Sequence, residues 1–192
     1  MGRPKQFDPD IAIDQAMELF WRKGYAATTP QELTEALGVG KGSLYNAFGS
    51  KRALFELALR RYRDSQSPAL AEILHGPGTV KDRLRQALHF LVDLDLADPD
   101  RRGCMVVNTA TELAGSDETA TELVRQVFNQ TEDAFRGLIE EGMRSGEISS
   151  DRDPLAVGSL LLNTTIGLRV IGRVTEGPDR MVRVVDAIID AL

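Results

Sequence analysis

Lys41, Ser43, Tyr45 and Asn46 fall within one eight-residue segment, KGSLYNAF, which has room for only about two helical turns. If it is helical, Leu44 and Phe48, four apart, share the inward face and leave the polar side chains outside. Such a face suits a nucleic-acid duplex. Lys41 can meet a phosphate, Ser43 and Tyr45 can donate to phosphate oxygens without adding charge, and Asn46 can pair with the edge of an adenine. Gly40 and Gly42 keep the approach free of side-chain bulk, so that backbone amides can come close to the sugar-phosphate chain. Lys51, just inside a helix that Ser50 caps, adds charge where the helix dipole is already positive. The start of the chain, Gly2-Arg3-Pro4-Lys5, reads as an extended basic arm of the kind that enters a minor groove, with Arg3 and Lys5 supplying its charge. A solubilising terminus has the same composition.

The elements that must hold this segment are legible in the punctuation around it. Asp8 as N-cap and Pro9 at the first helical position open a helix whose apolar stripe, Ile13, Ala16, Met17 and Phe20, ends at Gly24. Thr29-Pro30-Gln31-Glu32 is a capping box opening a second, short helix with Leu33, Ala36 and Leu37 on one side and Gly38 as its stop. Short helix, glycine turn and short polar-faced helix are the parts of a helix-turn-helix, in which one helix braces the backbone and the next enters the major groove. Ser50 then caps a long fourth helix with an inward stripe of Leu54, Phe55, Ala58, Leu59 and Tyr62, and the pattern breaks near Ser67-Pro68.

Beyond it, apolar residues recur every three or four positions and no strand pattern appears. Helices are expected at roughly 79–96, 104–114, 118–145, 154–175 and 179–191, bounded by glycine and proline. The expectation is an all-α chain of about nine helices. A three-helix DNA-binding domain over residues 1–50 is followed by a helical ligand-binding and dimerisation domain over 51–192, with the fourth helix, 51–75, connecting them. The last two helices are apolar around much of their circumference, as half of a subunit interface would be.

The net charge of −6 is unevenly distributed. Residues 1–63 carry ten Lys/Arg against seven Asp/Glu, and the rest thirteen against twenty-two. A DNA-reading head on a body that stays clear of phosphates has this asymmetry. Cys104 is the only cysteine, so no intrachain disulfide can form. The charged start has no apolar leader, and the uninterrupted aliphatic run at Leu160–Leu162 is too short to cross a bilayer. The expected location is the cytoplasm, with no membrane partner. Two histidines and no Gly-rich phosphate loop, triad or metal-ligand spacing argue against an enzyme. No cofactor and no metal are expected.

With these residues in order, the first sixty or so positions resemble the TetR/AcrR family of bacterial regulators. The carrying elements are A-x-x-L-F, G-Y-x-x-T-T, L-x-x-x-L-G-V, K-G-S-L-Y-x-x-F and S-K-x-x-L-F. Gly103-Cys104 through Asn108-Thr109-Ala110 is similar to the start of the central ligand-domain helix in one branch of that family. The resemblance implies a homodimer that binds pseudo-palindromic operator DNA, most often as a repressor released by a small-molecule effector. By position it implies that Thr28, Thr29, Tyr45 and Lys51 contact phosphate and that Gly42, Ser43 and Asn46 lie on the recognition helix.

An effector site needs a few polar groups in an apolar lining. Asn108, Thr109, Glu112, Phe128, Phe135, Asn163 and Thr164 are the candidates, with Cys104 beside them. Arg101, Arg102 and a helix start give Cys104 a setting suited to a reactive sulfur, so a response to oxidants or electrophiles is one alternative; a packed small hydrophobe is the other. A ligand-free architectural DNA-binding protein is the rival of another class. The effector expected is largely apolar, with the fourth helix as the lever between its site and DNA.

Overall fold

The first helix starts where its cap dictates: the Asp8 carboxylate accepts from the Asp10 amide at 2.9 Å, and Pro9 occupies a slot that needs no amide donor. The computed structural model describes residues 8–192, apart from the side chains at 66 and 67. Helix supplies all the regular structure of these residues. In chain order the elements are α1 (Pro9–Lys23), α2 (Pro30–Leu37), α3 (Lys41–Phe48), α4 (Lys51–Leu74), α5 (Val80–Ala97), α6 (Met105–Leu113), α7 (Glu118–Ser145), α8 (Pro154–Ile171) and α9 (Asp179–Asp190).

Local chemistry explains most of the boundaries. Ser50, Thr79, Asp117 and Asp153 each cap the helix that follows, and α7 stops at Gly146 in the left-handed conformation. The capping box of α2 is complete, because the Thr29 hydroxyl accepts from the Glu32 amide while the Glu32 carboxylate accepts from the Thr29 amide at 2.8 Å. Replacing Thr29 by Ala is expected to cost about 1 kcal/mol, read as a lower denaturation midpoint with unchanged slope; a neutral result would mean that packing alone holds the start of α2.

The apolar pattern breaks near Ser67-Pro68, but the helix itself runs on, close to the expected span of 51–75. α4 continues through Pro68 to Leu74. Proline forfeits one backbone hydrogen bond, but Leu70, Ile73 and Leu74 beyond it dock on the lower core and hold the helix together.

Two buried clusters meet along α4 and α7. The upper one joins Phe20, Leu33, Leu44, Leu54 and Phe55 to Met105, Val106, Leu113, Leu123 and Val124, so the core under the reading helix is continuous with α6 and α7. The lower one packs α5, α7, α8 and α9 around Leu88, Phe135, Ile139, Leu161 and Val185. Trp21 packs against the upper core at the seam between head and body. Its indole donates to the Gly103 carbonyl at 2.9 Å, its ring packs edge-on against Tyr62, and the Arg102 guanidinium lies 3.7 Å from its ring centre.

α8 is 18 residues long with a mean hydropathy of 1.4, enough by length and composition to cross a membrane, so the short aliphatic run understates it. Its inner face is engaged by protein. A Cβ at Gly158 would stand 3.2 Å from the Glu132 carbonyl of α7, and Leu161 and Leu168 are buried.

Candidate nucleic-acid interface and effector cavity

α3 is anchored by its apolar side and presents the rest. Leu44 is 1% exposed within the upper core, Tyr45 and Phe48 are half-buried, and Lys41, Gly42, Ser43 and Asn46 are exposed. Among the described residues no hydrogen bond or ion pair engages the side chains of Lys41, Ser43 or Asn46. Gly38 makes the turn ahead of α3 at φ 63, donating to the Glu35 and Thr34 carbonyls, and Gly40 begins the reading helix without a side-chain cap. Donors at the start of α3 therefore face open space, as an incoming phosphate requires.

The other phosphate candidates sit differently. Thr28 is fully buried and its hydroxyl donates to the Gly24 carbonyl at 2.7 Å, so its side chain holds the α1–α2 turn and cannot reach a phosphate. The exposed Thr29 hydroxyl donates to the Glu32 carboxylate at 2.9 Å, within the capping box. Hydrogen bonds from Lys23 and Thr29 hold the Glu32 carboxyl down at about 2, so this acceptor stays ionised. Lys51 lies over the Tyr25 ring, with Nζ 4.3 Å from its centre. Burial lowers its pKa, against the pull of Glu112 and Glu32. Arg3 and Lys5 fall outside the described residues.

A second feature lies below the head, where α4, α5, α6, α7 and α8 line a partly open cavity of about 150 Å³. Its walls include Val107, Phe128 and Leu162, and its polar groups include Tyr62, Cys104 and Arg169. Arg169 is 5% exposed, its Nε 3.1 Å from Asp95 Oδ2, and its Nη2 donates to the Tyr62 hydroxyl at 3.3 Å. Burial raises the Asp95 carboxyl to about 6 although the guanidinium opposes the shift. Burial, reinforced by the neighbouring Cys104, likewise pushes the Tyr62 hydroxyl well up.

Of the pocket candidates read from sequence, Cys104 and Phe128 line this cavity. The others have different places. Asn108 donates to the Arg102 carbonyl and accepts from Arg173, Thr109 is buried and donates to the Met105 carbonyl, and Asn163 donates to the Ser159 carbonyl. Phe135 belongs to the lower core and Thr164 to a shallow groove between α8 and α9. Glu112 points away from the cavity: its carboxylate accepts from the amides of Tyr25 and Ala26 in the head. These polar side chains were identified by type, and type does not reveal which of them close helix or inter-helix hydrogen bonds. Tyr62 reads from sequence only as part of the inward stripe of α4, and Asp95 has no signal of its own. Arg169 lies in an apolar helix, and its partner Asp95 is 74 positions away in sequence.

Comparison with known proteins bears on both halves. The model of bacterial regulatory proteins of the tetR family matches residues 12–58, and that of the tetracyclin repressor-like C-terminal domain matches residues 80–188. YezE of Bacillus subtilis (strain 168), an uncharacterized HTH-type transcriptional regulator, is 34% identical over 197 aligned positions that span 100% of each chain. The HTH-type transcriptional repressor ComR of Escherichia coli (strain K12) is 26% identical, over 95% of this chain and 88% of its own. Among solved structures, a cysteine-substituted form of the TetR-family regulator CifR, complexed with 26-bp double-strand operator DNA, superposes with a TM-score of 0.88 at 28% identity and covers 99% of both chains. Agreement over the reading head and the divergent body alike makes the chain a member of the TetR family of bacterial transcriptional regulators.

Proposed function

We propose that this chain is a repressor that binds pseudo-palindromic operator DNA as a homodimer and is released by a small, uncharged, largely apolar effector. The observation that carries the reading is the unengaged polar face of α3 on a helix anchored by Leu44. Residues 1–50 read DNA, α4 connects, and residues 51–192 hold the effector and the partner. Lys41, Ser43, Tyr45 and the amides near Gly42 contact phosphate, Asn46 reads a base edge, and Arg3 and Lys5 reach the minor groove. Lys51 acts at the same backbone through its charge and by bracing Tyr25. The protein works in the cytoplasm, as a binding protein and not an enzyme. The repressor ComR and the operator complex of CifR support the direction of the proposal.

The effector class follows from the cavity. Two guanidinium groups line the site, Arg169 paired with Asp95 and Arg63 paired with Asp64, so each charge already has its counter-ion, and a space of about 150 Å³ admits a molecule about the size of benzene. The partner class follows from α8 and α9. Leu160 (52%) and Val184 (43%) are exposed on the side opposite the core, with Thr164 and Gly167 between them, and a second copy of the same surface would cover them. Sequencing the DNA recovered by the purified protein from a random pool tests the central claim. Two related half-sites about one helical turn apart are expected. A monomer in sedimentation, or no preference for any duplex at low salt, would overturn it.

A further inference from the structure

Besides the packing of α1 on α4, where Arg61 pairs with Asp10 and Asp14, the head is joined to the body at the two ends of α6. Before its start, Gly103 receives the Trp21 indole, and Arg102 pairs with Glu18 while lying over the Trp21 ring. At its far end, Glu112 Oε2 accepts from the Tyr25 amide at 3.0 Å and Oε1 from the Ala26 amide at 2.6 Å. α6 spans nine residues, or about 13 Å. Cys104, Val106 and Val107 at its beginning are also cavity wall. One rigid element thus lines the cavity along its first turn and meets the DNA-reading head at both ends, with Glu112 making the contact farther from the cavity.

The turn that Glu112 holds is the one that sets α2. Gly24 opens it at φ 83, and a Cβ there would stand 2.8 Å from Glu112 Oε2, so the carboxylate occupies the space that a side chain would need. Tyr25 packs on Phe55, with ring centres 4.9 Å apart, and lies under Lys51; Thr28 ties back to Gly24, and Thr29 caps α2. A carboxylate that accepts two backbone amides 86 and 87 positions away is a specific tether, since two charge-assisted bonds fix orientation as well as distance. α4 reaches the same turn through ring contacts, with Lys51 and Arg52 over Tyr25 and Phe55 against it.

We propose that Glu112 is a positioning residue: carried on α6 from the cavity wall, its carboxylate sets the pose of the head, and a molecule in the cavity alters DNA affinity by displacing it. This rests on the cavity being the effector site. The sole cysteine provides a direct test, because benzyl methanethiosulfonate converts the Cys104 thiol to a benzyl disulfide, releases methanesulfinate, and places an aromatic ring against α6. Operator affinity of the full-length protein, using DNA from the random pool, is measured before and after labelling in the wild type, Glu112→Ala, Glu112→Gln and an unlabellable Cys104→Ala control. Amide exchange at Tyr25 and Ala26 is followed in parallel, and a cooperative melt is required of every sample.

The labelled wild type is expected to lose about tenfold in affinity and to exchange faster at Tyr25 and Ala26, as a coupling of ordinary size between two sites would give. Labelling Glu112→Ala should change affinity less than about twofold, with Glu112→Gln, whose amide oxygen can still accept, lying between. Equal losses in wild type and Glu112→Ala, or unchanged exchange at the two amides in the labelled wild type, overturn the role of Glu112 and leave the cavity reading intact. No effect of labelling on wild-type affinity overturns both.

Discussion

Arg169→Leu is expected to destabilise the protein by roughly 3–5 kcal/mol, because the Asp95 carboxylate stays behind without its counter-charge. The pair lies inside the protein, Asp95 at 4% and Arg169 at 5% exposure, with no solvent to replace a missing partner. Thermal or denaturant unfolding reads the loss directly. A double variant, Asp95→Leu with Arg169→Leu, should recover much of it, since removing both charges also removes their desolvation cost. A single variant that melts like the wild type would show that the pair is solvated and marginal.

The same pair has a pH signature. The folded-state value of Asp95, about 6, lies above its ordinary value of 3.8, so between these limits the folded protein binds more protons than the unfolded chain. Its contribution to stability therefore grows as pH falls from about 6 to about 4. Glu32 works the other way: its value is depressed to about 2, so its contribution is present above 4.5 and is lost as pH falls through about 2. Midpoints compared between wild type and Asp95→Asn across pH 4 to 7 should separate the two groups. If Asp95→Asn keeps the wild-type slope, another group is responsible.

Asn46→Ala should cost the best operator about tenfold to a hundredfold in affinity and flatten preference at one base position in each half-site, as removal of a base-edge contact does. Lys41→Ala should weaken all sequences alike and reduce the dependence of log affinity on log salt by about one per head. Tyr45→Phe follows the Lys41 pattern without changing the salt slope, because it removes a hydrogen bond and no charge. Lys51→Ala is expected to behave differently from a plain phosphate contact, since it also uncovers the Tyr25 ring. Titrating each variant against the selected operator and a scrambled duplex at two salt concentrations checks the set; base preference lost on Lys41→Ala and kept on Asn46→Ala would reverse the two assignments.

Most of the helical plan is written in local chemistry. Caps at Asp8, Thr29, Ser50, Asp117 and Asp153 and stops at Gly24, Gly38 and Gly146 act over four residues or fewer, and the span 118–145 of α7 can be read from them alone. The wet side of α3 is equally local, because Leu44 and Phe48 decide which way the others face. Pro68 shows the limit. Its propensity interrupts the apolar pattern, and burial of the residues beyond it carries the helix on to Leu74. α8 ends at Ile171, short of the expected 175; there Gly172 lies against Asp95, where a Cβ would stand 3.2 Å from the Asp95 Cβ.

By itself, then, the sequence determined an all-helical chain with a short exposed reading helix, a basic head and an acidic body, because caps, period and charge are properties of neighbouring residues. Only the tertiary structure decided how polar side chains of the same type divide their work: Thr28 to the turn, Thr109 to its own helix, Glu112 to the head, Arg169 to Asp95, and Cys104 with Tyr62 to the cavity. The physical reason is that a buried polar group takes whichever partner folding brings near it, and here those partners come from as far as 107 positions along the chain.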